Sequence, residues 1–192
     1  MRALLAIGLM ATFGVTAHAA ERRELGAHEH GHSKLNLAVE GTRVAMEIEA
    51  PGLDVLGFEH PAETGEEKAA VETGKATLGE PLALFVLPAA AGCRVVEAAV
   101  ELLQEEHEGE EHAEEGGGEE LAEGEDEALH NEFRGRYTLD CADPGALTSI
   151  TFAWFDRFPN AKEVEVTLVT AKGQTSYEVE RGDPPLTIGA TS

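Results

Sequence analysis

Cysteine and positive charge are both scarce in this chain, and each shortage removes a class of explanation. Two cysteines in 192 residues rule out both a disulfide-dense scaffold and a multi-thiolate metal cluster. Against 37 Asp and Glu stand only 14 Lys and Arg, a formal net charge of -23, which argues against nucleic acid or an anionic membrane surface as partner and for cations or basic proteins. Long apolar runs are missing too. The one candidate, Ala3 to Val15, falls short of the roughly 20 residues a membrane helix needs. No GxSxG and no phosphate-cradling glycine loop appears, and neither cysteine is placed as an activated nucleophile, so the sequence predicts that the protein is not an enzyme.

What is present begins with a leader. Arg2, the apolar run and Ala17-His18-Ala19 read as a secretory signal peptide over residues 1–19, which predicts export and a periplasmic mature protein. Residues 20–192 then suffice for a single domain. In an exported chain the isolated pair Cys93 and Cys141 reads as a disulfide. One opens a strand-like segment and the other closes one, so antiparallel pairing sets them side by side.

Periodicity predicts an α+β fold of mostly antiparallel β-sheet with one amphipathic helix. Leu35, Leu37 and Val39, then Val44, Met46 and Ile48, alternate with polar neighbours around Gly41-Thr42, a β-hairpin over 34–49. Thr64 and Glu67 form a capping box ahead of Ala70, Val71, Gly74 and Leu78, and Gly79 and Pro81 stop the helix, giving 63–78. Residues 82–87 fit either strand or buried turn. Segments 94–103 and 133–141 read as paired strands. Three more strands are predicted around Ile150, Phe152 and Trp154, around Val164, Val166 and Leu168, and around Tyr177 and Val179, about seven in all. Phe152, Trp154, Phe155 and Phe158 are assigned to the core. Between the paired strands lies an insert, residues 104–131. Its stretch 105–127 holds 13 acidic residues, His107, His112 and Gly116-Gly117-Gly118, with no lysine or arginine. Such a composition cannot offset its ordering entropy, which predicts a solvated, disordered acidic loop.

Histidine is where chemistry concentrates. His28-Glu29-His30-Gly31-His32 offers three imidazoles in five residues, and neutral imidazole is the commonest metal ligand. In an extended chain His28 and His30 project to one side about 6.6 Å apart and can share one ion. His28 and His32 stand about 13 Å apart, the limit of their joint reach. Either the chain bends at Gly31 or His32 serves a second ion, and a tetrahedral site needs a further donor in any case. His60 precedes Pro61 and the helix N-terminus, which favour an extended backbone and a neutral ring, although a lone histidine is more often a hydrogen-bonded structural residue. His107 and His112, among Glu108, Glu110 and Glu111, suit a loose, adaptable site that His130 would close. The metal candidates are therefore His28, His30, His32, His60, His107 and His112.

Three strings carry a resemblance: HEHGHSKLNLAVEG from His28, EAPGLDVLGFEHP from Glu49 and LFVLPAAAGC from Leu84. With the His/Glu-rich insert before the second cysteine, they resemble the ZrgA-type periplasmic zinc-uptake family over nearly the whole mature chain. That resemblance implies a zinc-binding accessory protein supporting import by a separate zinc transporter or its periplasmic component, with Zn2+ at His28, His30 and His32 and at His107 and His112. The residues alone leave copper or nickel open, because nitrogen sites follow the general affinity order. They also leave open an interaction or structural module whose acidic loop docks a basic partner.

Overall fold

The structure is a computed structural model and describes residues 31–105 and 130–188. The leader, His28, His30 and most of the insert, with His107 and His112, lie outside the described residues.

Three antiparallel hairpins lie side by side in one six-stranded sheet. The first pairs β1 (His32–Glu40) with β2 (Arg43–Pro51), the second β4 (Cys93–Glu105) with β5 (His130–Cys141), and the third β7 (Glu163–Thr170) with β8 (Gly173–Glu180). The first hairpin is central. β5 joins β2 antiparallel on one side and β7 joins β1 parallel on the other, giving the order β4-β5-β2-β1-β7-β8. A small second sheet pairs β3 (Phe85–Val86) and β9 (Leu186–Thr187) with β6 (Ser149–Phe152).

Strand alternation sorts the large sheet into two faces. Leu35, Leu37 and Val39, with Val44, Met46 and Ile48, are buried, and Phe133, Leu139, Val164 and Val166 continue that face across the neighbouring strands. The other face is polar. One register row runs Glu101, Arg134, Glu49, Lys34, Glu165, Glu178, and Arg134 reaches Glu49 at 3.5 Å. From Glu101 to Glu165 opposite charges stand directly across each pair and support the register, Glu165 opposite Glu178 being the like-charged exception, and charged side chains on the two edge strands discourage pairing with another chain.

Helix and aromatic packing close the apolar face. The expected helix is α2 (Gly65–Leu78), whose capping box is formed: Thr64 Oγ1 accepts from Glu67 N at 3.1 Å and Glu67 Oε2 accepts from Thr64 N at 2.9 Å. Val71, Gly74 and Leu78 are its buried stripe. Three shorter helices, α1 (Gly52–Leu56), α3 (Pro81–Leu84) and α4 (Trp154–Arg157), were not expected. The strand predicted through Trp154 stops at Phe152 instead. From there one helical turn carries Trp154, Phe155 and Phe158 into the core, all at or below 5 % exposure. Residues 82–87 divide between α3 and β3.

Gly135, in the middle of β5, has a packing reason. A Cβ there would collide with the Tyr137 hydroxyl, so the tyrosine ring covers the bare backbone. Burial pushes the Tyr137 phenol far above its ordinary pKa.

Cys93 and Cys141 form the expected disulfide, as register partners 3.9 Å apart at Cα. It ties the open end of the second hairpin, opposite the end where the insert departs between Glu105 and His130.

Candidate metal centre at the rim of the sheet

The end of the large sheet remote from the disulfide is where the described histidines collect. β1 and β5 begin there with His32 and His130, β2 ends there at Pro51, and β4 ends opposite His130 at Glu105. A loop over residues 57–64 adds Glu59 and His60. The rim therefore holds all three described histidines.

Gly31 sets the entry to β1. Its φ of +93° lies in the region that favours glycine, and a Cβ there would press on the Lys162 side chain at 2.8 Å. Both of its backbone groups are held. Its N–H donates to Asp54 Oδ1 at 2.9 Å, and its carbonyl accepts from the N–H groups of Lys162 and Glu163 at 2.8 and 2.9 Å. A turn at Gly31 is one of the two alternatives the distance argument left open, the other being that His32 serves a second ion.

Asp54, 1 % exposed on α1, is the fastening. Besides Gly31 it accepts from Ser33 Oγ at 3.1 Å, so one carboxylate grips both neighbours of His32. Burial raises its pKa above the ordinary carboxylate value and Glu59 adds to the rise, while the bonds from Ser33 and Gly31 and the nearby His32 oppose it. Arg181 secures the far side. Its guanidinium donates to the carbonyls of Phe155, Phe158, Pro159 and Ala161 at 2.6 to 3.0 Å, ordering the stretch that leads to Lys162 and Glu163.

Each described histidine faces a carboxylate, at different range. His130 Nδ1 is 3.1 Å from Glu59 Oε2, a hydrogen bond. His32 Nδ1 is 3.7 Å from Glu163 Oε1, and with Glu163 and Glu180 it lines a hollow of about 230 Å³. His60 Nε2 is 3.9 Å from Glu67 Oε1, while its Nδ1 meets the Pro61 carbonyl at 3.0 Å and its ring stacks on Phe58 at 4.9 Å. That last geometry ties His60 to the α2 cap. Capping bonds from the Thr64 and Glu63 amides hold the Glu67 carboxyl below its ordinary pKa, with His60 a lesser contributor.

Among the described residues no three His, Cys, Asp or Glu side chains converge closely enough to hold a metal ion. Of the six candidate ligands, His32 and His60 share the rim without converging, and the other four lie outside the described residues. Asp54 and Glu59 escaped the sequence reading because neither belongs to a spacing motif. Their only signal was membership in the EAPGLDVLGFEHP string.

Residues 28–32 also match the H-E-x-x-H spacing of zinc metallopeptidases. That chemistry requires both histidines on one helix face. Here Gly31 has a non-helical φ and His32 begins a strand, so the end of the motif is not helical.

Fold and rim together define a small α+β domain with its described histidines and their carboxylate partners gathered at one sheet end. A family model described as ZrgA family zinc uptake protein matches residues 27–188, and the chain belongs to that family. Its role accordingly lies in zinc uptake. Among curated proteins none matches. No helix among the described residues is long and apolar enough to cross a membrane.

Proposed function

We propose that this protein is a periplasmic zinc-binding protein that captures or buffers Zn2+ and supports its import by a separate transporter, without catalysing a reaction. The observation that carries the reading is the fixed bend at Gly31. In an extended chain His32 stands at the limit of joint reach with His28, and a φ of +93° at Gly31 supports the alternative in which the chain bends there over the one in which His32 serves a second ion. His28, His30 and His32 are the principal donors. The acidic insert, with His107 and His112, raises the local cation concentration and holds further ions weakly, its field reaching about 8 Å at physiological ionic strength.

Calorimetric titration of the mature chain with Zn2+ tests this beside two variants, one with His28, His30 and His32 changed to Ala and one lacking residues 106–129. The triple variant should lose the tight site and the deletion should keep it. The reverse pattern would overturn the ranking. Because protons compete for imidazole nitrogen, affinity should fall as pH drops below about 6.5, and an affinity equal at pH 7.5 and 5.5 would exclude histidine ligation. A basic-partner module, by contrast, would bind its partner in the presence of chelator and release it with salt. Competition among Zn2+, Cu2+ and Ni2+ in the same titration identifies the preferred metal.

A further inference from the structure

We propose that the polar face of the six-stranded sheet is a docking surface for an amphipathic, basic helix of a partner protein. The proposal draws on none of the histidines and stands or falls apart from zinc binding.

Four register rows cross the middle of that face. The row from Glu101 to Glu178 is wholly charged, and so is the row nearest the disulfide, Arg94, Asp140, Arg43 and Glu40. The two rows between them differ in kind. One places Ala99, Asn36 and Thr167, and the other Thr138, Ala45 and Ala38, so short side chains adjoin across the strands. Over them lies a hollow of about 740 Å³ that runs from Glu97 on β4 to Gln174 on β8. Val169, the register partner of Ala38, is 42 % exposed there, an apolar side chain turned away from the core. Arg136 and Glu47 also enter the hollow but are engaged, since Arg136 lies 3.8 Å from Glu47 and 2.6 Å from Glu101.

Dimensions select a helix. Lys34 and Glu40 mark the two charged rows on β1 and stand about 20 Å apart, which leaves room between them for the roughly 10–12 Å width of a helix with its side chains. Across the six strands the trough is about 24 Å long, the rise of about 16 helical residues. An extended segment laid on side chains would leave its amide and carbonyl groups unpaired. A helix brings its own bonds already made.

Charge selects the sign. Glu165 and Glu178 stand directly opposite each other beside one end of the trough, an arrangement that costs stability in the sheet alone. Lys34 is the register partner of Glu165, yet among the described residues no basic group comes within ion-pairing distance of Glu165, Glu178 or Glu97. Lysine or arginine on the flanks of an incoming helix relieves this repulsion. A second copy of the chain would instead bring its own net charge of -23 to an acidic surface.

The test uses the full mature chain and a fluorescein-labelled helical peptide of about 16 residues, an alanine and leucine stripe flanked by lysines, beside a peptide of the same composition in scrambled order. Fluorescence anisotropy should show the ordered peptide binding more tightly, and amide NMR shifts should collect at Ala38, Ala45 and Thr138. Ala45→Gln fills the trough at unchanged charge and should weaken binding by about tenfold. Glu165→Gln with Glu178→Gln should weaken it about threefold and flatten its salt dependence. Near-UV circular dichroism checks the fold, and Ala99→Gln on the edge strand replaces Ala45→Gln if the latter misfolds. An ordered peptide that binds no more tightly than the scrambled one, or a folded Ala45→Gln variant with wild-type affinity, overturns the proposal. A dimer in sedimentation that Ala45→Gln breaks also overturns it, by giving the face to a second copy.

Discussion

The two ends of the six-stranded sheet are built on opposite plans. At one end the hairpins turn tightly at Gly41-Thr42 and at Ala171-Lys172, the Cys141 N–H donates to the Thr42 carbonyl at 2.7 Å, and the disulfide ties β4 to β5. At the other the chain enters, leaves for the insert, and crosses to α1. There order comes from polar contacts: Asp54 on Gly31 and Ser33, Arg181 on four carbonyls, Asn131 on the Glu59 loop. Covalent closure fixes the first end whatever it binds. Hydrogen bonds alone order the second. On the proposed function, the division of labour would put stability at the tied end and metal capture at the polar one.

Changing both Cys93 and Cys141 to Ser tests that division with the largest expected effect. The bridge spans a sequence separation of 48, which on the chain-entropy model corresponds to about 4 kcal/mol. Urea unfolding should show a loss of that order. Zinc affinity should stay within about twofold, as expected for sites that share no partners. A large affinity loss would mean that the two ends are coupled.

Asp54→Ala strikes the other end. It leaves the Gly31 N–H and the Ser33 hydroxyl without their acceptor, at a cost of about 1–3 kcal/mol. Unlike the disulfide change it should also weaken zinc binding, by roughly tenfold, because the residues flanking His32 lose their anchor. Equal zinc affinity in the folded variant would show that the clamp serves stability alone.

Thr64→Ala is the milder probe of the same end. Losing the N-cap should cost about 1 kcal/mol of stability. Its effect on zinc affinity should be small, since the bonds from Asn131 hold the Glu59 loop independently of the cap. Thermal unfolding and titration of one preparation read both quantities. A drop in affinity as large as that of Asp54→Ala would move the α2 cap into the metal-binding machinery.

The tied end was readable from sequence because its determinants are local. Gly41-Thr42 between two alternating runs and a cysteine at each outer limit of paired strands are short-range signals. Thr64 with Glu67 is a signal of the same kind, and the family resemblance rested on contiguous strings. Trp154 was misplaced because Ile150, Phe152 and Trp154 alternate like a strand, while Trp154 and Phe158 are also four apart, the spacing of a helical face. Core burial of three rings decided for the helix. The parallel pairing of β1 with β7 joins residues over 120 positions apart, and no turn signal encodes it. The rim was hidden for the same reason. Glu59 meets His130, and Asp54 meets Gly31, only after the hairpins have been set in order.

The finest test uses the charge on Asp54 and leaves its contacts in place. Its carboxyl has a pKa raised above 3.8, chiefly by burial, so in the window from 3.8 up to that raised value the folded state binds more protons than the unfolded. Stability must therefore fall as pH rises through this window, the reverse of the usual behaviour of an ion-paired carboxylate. Asp54→Asn keeps an oxygen for the Gly31 N–H and an amide that donates to Ser33 Oγ, so it should flatten the slope without the loss expected of Asp54→Ala. Urea midpoints measured across the acid range compare the two slopes. A wild-type slope that Asn does not change would mean that the bonds from Ser33 and Gly31 offset the burial of Asp54, so that this carboxyl does not carry the pH dependence.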